Sequence, residues 1–134
     1  MDEQHRIPLV GGADGETALF TLVETGDDCE VQCKYRDIVV RSSAADFFEA
    51  LCGVRRELAR EGLVPLCYGA SLNVFPSGMS RSMGGGLKAY RLTKGAQARM
   101  ADLVEIFATG PDVIPALVET QVAFFSDWLA SLRG

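Results

Sequence analysis

An α+β fold, with a small sheet of about four mainly antiparallel strands packed against two or three helices in the order β-β-α-β-β-α-α, is predicted by three features of this sequence. Cys29, Val31, Cys33 and Tyr35 alternate with Glu30, Gln32, Lys34 and Arg36, the period-two mark of a strand with one wet face. Phe47, Leu51, Val54 and Leu58 fall on one helical stripe, and Val118, Val122, Phe125, Leu129 and Leu132 make a second one. Strands and helices with no repeat or linker between them bury their apolar sides against each other. With 134 residues, the whole of 1–134 is expected to be a single globular domain.

Residues 1–15, with Pro8, Gly11, Gly12 and Gly15, read as a partly ordered tail ending in a turn. Thr17–Glu24 has strand composition, Thr25-Gly26-Asp27-Asp28 supplies turn chemistry, and the alternating run after it completes a β-hairpin. Ile38, Val39 and Val40 break the alternation, which predicts a bulge or a covered strand end near Asp37. The first helix is expected over 44–61, capped by Ser43 with Asp46 in its first turn and ended by Gly62. Leu63–Phe75 is mostly apolar with little alternation and reads as a strand covered on both faces. Pro76–Gly86 has no period and is expected to be a loop, followed by a strand over Leu87–Thr93. In 96–108, Met100, Leu103, Val104 and Phe107 fit helical spacing and predict a helix, although Asp102–Phe107 also fits a short strand. Pro111 and Pro115 bracket the start of the closing helix, which also carries Phe124 and Trp128.

Composition bounds the function. Apolar residues make up 48% of the chain and charged ones 23%, which is globular usage and argues against a disordered segment. The apolar runs are far shorter than the roughly 20 residues of a membrane span, and Met-Asp-Glu-Gln-His-Arg lacks the apolar stretch of a signal peptide, so a cytoplasmic protein is expected. The net charge of −5 hides a segregation of signs. The first 30 residues carry Asp2, Glu3, Asp14, Glu16, Glu24, Asp27, Asp28 and Glu30 against Arg6. From Leu72 to Ala101 the charges are Arg81, Lys88, Arg91, Lys94 and Arg99. Such surfaces either face each other in the fold or dock a partner. With an overall pI near 4.8, repulsion from phosphate argues against nucleic acid as that partner.

Catalytic equipment is sparse. His5 is the only histidine and falls in the expected tail, which disfavours a His-assisted nucleophile. Cys29 follows Asp27 and Asp28, whose charge opposes a thiolate. Cys33 lies four strand residues further on, about 13 Å away at the usual rise, too far to bridge or to share a zinc. Cys52 and Cys67 fall in apolar runs, so all four thiols read as core and no metal or cofactor is expected. Gly11-Gly12-Ala13-Asp14-Gly15 precedes a strand rather than opening a helix, which rules against a dinucleotide loop. The 76–86 segment lacks the Gly-Lys-Ser/Thr ending of a P-loop, although Ser77, Ser80, Arg81 and Ser82 with glycine amides suit an anion.

The stretch Leu66-Cys67-Tyr68-Gly69-Ala70-Ser71-Leu72-Asn73-Val74-Phe75-Pro76-Ser77-Gly78-Met79-Ser80-Arg81, with Gly86–Tyr90 and Asp102–Phe107, resembles immunity proteins of bacterial polymorphic toxin systems, of the Rhs-type or contact-delivered kind. The resemblance covers about 62–132 and lies in overall texture rather than in one motif. It implies a cytosolic, non-enzymatic inhibitor that occludes a cognate toxin encoded beside it, with no catalytic residues to carry over. Two surfaces are the expected partner-binding sites: the acidic hairpin of Asp27, Asp28 and Glu30, and the loop carrying Ser77, Met79, Ser80, Arg81 and Met83. The alternatives are an acidic homodimeric chaperone for a secreted effector, and a small-molecule or anion-binding domain using the 76–86 loop.

Overall fold

The structure is a computed structural model that describes residues 2–133. It is α+β, but with two sheets where one of about four strands was expected. Strands β1 (Glu3–Val10), β2 (Thr17–Thr25), β3 (Asp28–Tyr35), β4 (Ile38–Ala44) and β5 (Val64–Pro65) form an antiparallel sheet in the order β4-β3-β2-β1-β5. Helix α1 (Phe47–Arg60) connects β4 to β5. Strand β6 (Val74–Phe75), helix α2 (Gly78–Gly84), strands β7 (Lys88–Arg91) and β8 (Leu103–Glu105) and helix α3 (Val118–Ser131) complete the chain, the last three strands pairing as β6-β7-β8. Single 3-10 turns cover Tyr68–Ala70 and Met100–Asp102.

The N-terminal residues expected as a tail are instead a strand inside the large sheet, where Ile7 and Leu9 are buried and His5 stacks on Phe107 at 5.3 Å between ring centroids. Pro8 suggested otherwise, but its position costs no hydrogen bond. Its carbonyl accepts from the Leu66 N–H on the β5 side, so the missing Pro8 N–H also points that way, where the β5 ladder begins only at Leu9. The β3–β4 connection is a two-residue turn rather than a bulge, with Tyr35 paired to Ile38 and both Arg36 (φ 49°) and Asp37 (φ 64°) left-handed. Arg36 is held in that conformation by its two-pronged ion pair with Glu16.

Strand β4 takes residues expected to start the helix, which moves the cap from Ser43 to Asp46; the Asp46 carboxylate accepts from the Glu49 N–H at 2.9 Å. The inner face of the large sheet buries Ala18, Phe20, Leu22, Val31 and Cys33, with α1 packed over its β3 and β4 side and Phe107 against Phe20, and the outer face is wet, with Gln4, Arg6, Lys34 and Arg41 exposed. On its far side α1 meets α3 and the Tyr68–Ala70 turn. That sandwiching explains why Phe47, Phe48, Leu51, Cys52 and Val54 are all buried on one short helix.

The single covered strand expected over 63–75 is broken into β5, a 3-10 turn and β6. The 76–86 loop contains a seven-residue helix, capped by Ser77 and closed by left-handed Gly85. The helix expected over 96–108 is a 3-10 turn leading into β8, so the short-strand alternative is the one the fold adopts. Its partner β7 decides the matter: Ala89 pairs with Val104 and Tyr90 with Leu103, and tertiary pairing overrides a short helical spacing.

The closing helix is present but turned from its expected face. Val118, Gln121 and Trp128 are buried, while Val122 and Leu129 are 43% and 44% exposed. The cause is polar. The irregular 69–74 segment leaves carbonyls without ladder partners, and Gln121 Nε2 donates to those of Gly69 (3.0 Å), Ser71 (2.9 Å) and Val74 (2.8 Å). Its Oε1 accepts from buried Arg55 at 2.6 Å. Burying a fully bonded amide outweighs burying two more aliphatic side chains when the alternative leaves the Ser71 and Val74 carbonyls unpaired, Gly69 O keeping its bond from Arg55.

Candidate functional site

Three of the cysteines follow the core reading, while Cys29 is only partly buried. All four are free thiols, and Cys33, Cys52 and Cys67 are buried. Burial pushes the Cys33 thiol up to about 12 and the Cys67 thiol up to about 11. Partial burial, then the charges of Glu24, Asp46 and Asp28, also raise Cys29. In the folded protein at pH 8, iodoacetamide is expected to label Cys29 slowly and the buried thiols not at all, while all four react in urea; fast labelling of Cys33 would contradict the burial. The same shift carries a stability consequence. A thiol raised above its ordinary 9.0 contributes stability that is intact below that pH and is lost as pH rises from 9.0 through about 12, so the urea midpoint should fall across this window and fall less in Cys33→Ala.

The expected loop site is divided by its own short helix. Arg81 turns inward, where Nη1 lies 3.4 Å from Asp46 Oδ2 and 3.6 Å from Glu49 Oε2, and its guanidinium covers the rings of Phe48 and Phe75 at 5.0 and 5.4 Å. It anchors α2 to the start of α1. Ser77 is the helix cap, its Oγ accepting from the Ser80 N–H at 3.0 Å. Met79 and Met83 project outward, 71% and 81% exposed.

Met79 belongs to a groove that the linear sequence did not show. It runs over the face of the small sheet opposite Arg91, which covers Tyr68, with Lys88 and Tyr90 of β7 and Leu92 just after it as its floor. One half, about 450 Å³, lies between α2 (Ser77, Met79, Ser80) and Met100 and Leu103. The other half, about 360 Å³, is lined by Phe75, Leu92, Gln97, Phe125, Trp128 and Leu132. Ser77 and Tyr90 line both halves, so the two adjoin there. Stacked rings build the second half: Phe75 on Phe125 at 4.1 Å and Phe125 on Trp128 at 6.0 Å. Met100, 76% exposed, faces the α2 methionine across the first. Unbranched, polarisable methionines on a groove rim adapt to different apolar partners at little cost.

The charges resolve into spent and unspent groups. Within the basic stretch Arg91 pairs with Asp112 at 2.9 Å and Lys94 approaches Asp127 at 4.0 Å, as Arg81 does Asp46 and Glu49. These partners come from the middle and end of the chain, not from its acidic start. At the start, Asp2, Glu3 and Glu24 converge on a cleft of about 280 Å³ whose apolar walls are Leu22, Phe47 and Leu87. Leu87 also lines the Met79 half of the groove, so the acidic cleft opens beside it. Asp27 and Asp28 are exposed at the hairpin tip, close to Glu24 through the Thr25–Asp28 pair. Glu30 is separated from them, since it lies on the outer sheet face and accepts from Gln32 at 2.7 Å.

Of the residues singled out by sequence, Ser77, Met79 and Ser80 line the groove, Asp27 and Asp28 lie near its acidic end, Met83 stands outside it, and Arg81 and Glu30 are directed elsewhere. Tyr90, Met100, Leu103, Phe125 and Trp128 were missed. The alternation of Lys88, Tyr90 and Leu92 with Ala89 and Arg91 was a readable signal for a two-faced strand, but not for which face stays open. Among the described residues, no helix is long and apolar enough to cross a membrane. Among known proteins, no family model and no curated sequence matches the chain.

Proposed function

We propose that the chain is a non-enzymatic immunity protein of a bacterial polymorphic toxin system, which binds a cognate toxin domain in the cytoplasm and neutralises it by occlusion. The observation that carries this reading is an apolar, methionine-rimmed groove bordered by Asp2, Glu3 and Glu24, of which Asp2 and Glu24 have no ion-pair partner among the described residues and Glu3 meets His5. An uncovered apolar channel beside unspent charge suits a protein partner: the apolar part holds, and the charge steers encounter and excludes wrong partners. The same carboxylates repel phosphate, which sets nucleic acid and anionic lipid aside as partners. The neutralised Arg81 likewise weakens the reading of 76–86 as an anion site.

The test is co-purification with the toxin domain encoded by the adjacent gene, at low and at high salt. A complex that weakens as salt rises is expected, together with rescue of cells expressing that toxin; no complex at either salt overturns the proposal. A second reading, the homodimeric effector chaperone, is favoured by the exposed apolar side of α3 at Leu117, Val122 and Leu129. Light scattering separates the two, because the chaperone is a dimer whose partner stays partly unfolded.

A further inference from the structure

From the form of the groove and the charge at its end, we infer that its occupant is a basic amphipathic helix of the partner. This rests on the protein-binding reading above and specifies what the partner presents. The floor of the groove is the face of a strand whose backbone is already paired on both sides, β7 with β6 and with β8. An extended peptide laid there would find no free N–H or C=O groups, and its own would lose water without compensation. A helix satisfies its backbone internally and needs only an apolar face to bury, which is the helix-in-groove mode of recognition. The two halves, meeting at Tyr90, take successive anchors along one helix face, with the ring-lined half at Trp128 suited to the larger side chain.

Charge sets the sign of the helix. At the Leu87 end stand Asp2, Glu3 and Glu24. Lys88 also lines this end, where it shares a small cavity with Glu3 and Glu105, so carboxylates outnumber the one lysine there. Arg99 is exposed between Ala98 of the ring-lined half and Met100 of the other, away from the Leu87 end. The field along the groove is thus negative at the Leu87 end, and a helix with lysines or arginines flanking its apolar stripe is complementary to it. Long basic side chains also lay their methylene stems on walls such as Leu22 and Phe47 while the heads reach the carboxylates.

Two fluorescein-labelled peptides of about 18 residues test this, one of Leu and Lys and one of Leu and Glu with the same apolar stripe, titrated by anisotropy against the full chain. The Leu/Lys peptide is expected to bind and the Leu/Glu peptide not; equal binding overturns the inference. Glu3→Lys with Glu24→Lys is expected to weaken binding at least about tenfold, against less than about twofold for Asp14→Lys with Glu30→Lys, the same charge change away from the groove. Equal losses from the two pairs overturn it. With methyl-labelled methionine, the Met79 and Met100 signals must both move on saturation, and a shift confined to Met83 counts against the groove. Met79→Asp with Met100→Asp changes exposed side chains only and should abolish binding with the fold intact. In cells making the adjacent-gene toxin, that double variant should lose protection. If it protects as well as the wild type, the groove inference fails and the immunity reading stands. If the wild type protects against nothing, the immunity reading fails, and the peptide titrations alone decide the groove.

Discussion

Arg55→Ala is expected to destabilise the fold by about 3–5 kcal/mol, the largest loss from any single charged residue in this chain. Arg55 is 3% exposed, and its partners are neutral: Nη1 donates to Gly69 O at 3.0 Å and Gln121 Oε1 at 2.6 Å, and Nη2 donates to Ala116 O at 2.9 Å. Its Nε has no partner among the described residues. Burial lowers the guanidinium pKa for the same reason, since the charge has left water without meeting a carboxylate. What offsets that cost is geometric. One planar fork joins α1 to the Tyr68–Ala70 turn and to the start of α3, and Gln121 closes the loop through the carbonyls of Gly69, Ser71 and Val74.

Removing the fork leaves Ala116 O and Gln121 Oε1 unpaired in the interior, at about 1–3 kcal/mol each, and opens a cavity where the aliphatic stem lay. Arg55→Lys should recover little, because an ammonium cannot reach two sides of the site with one planar group. Urea unfolding of the single variants and of Arg55→Ala with Gln121→Ala checks this, with a coupling above about 1 kcal/mol expected. A loss under about 1 kcal/mol in Arg55→Ala, or additive effects in the double variant, would show that the network does not hold α3.

This network is also where sequence reading met its limit. The hairpin was legible because alternation from Cys29 to Arg36 has one physical meaning, and α1 because Phe47, Leu51, Val54 and Leu58 leave no other periodic solution. The orientation of α3 was not legible. Its apolar positions admit two adjacent faces, and the choice was made by Gln121, a residue whose burial depends on carbonyls some fifty positions earlier. The N-terminal strand was hidden by Pro8, whose harmlessness depends on the side to which its missing N–H points. The groove escaped for the same kind of reason. Its parts lie on β6, α2, β7, the Met100 turn and α3, and an open face is a property of what fails to pack against them, which no local pattern encodes. The acids of the cleft, by contrast, were visible in the linear charge segregation, although the fold had to show that Asp2, Glu3 and Glu24 gather while Glu30 turns away.

Trp128→Ala is expected to cost about 3–5 kcal/mol and to remove the aromatic end of the groove at the same time. The indole is 9% exposed, stacks on Phe125 at 6.0 Å between centroids, and its Nε1 donates to both Thr93 O (3.1 Å) and Ala96 O (3.0 Å). Those two carbonyls belong to the turn after β7, which is also tied to α3 by the Gly95 N–H donating to Ser131 Oγ at 2.8 Å. Trp128 therefore fastens α3 to the small sheet from one side as Arg55 and Gln121 do from the other. Trp128→Phe keeps most of the packing and loses the shared hydrogen bond, so a loss of about 1 kcal/mol is expected for it. The difference between the two variants separates ring burial from turn anchoring, and circular dichroism in urea measures it without relying on the single tryptophan as a probe. Hydrogen exchange adds the location: amides of 93–97 should exchange faster in both variants, and those of α3 only in Trp128→Ala. Equal stability of the two variants would mean that the indole holds the turn and contributes little as core.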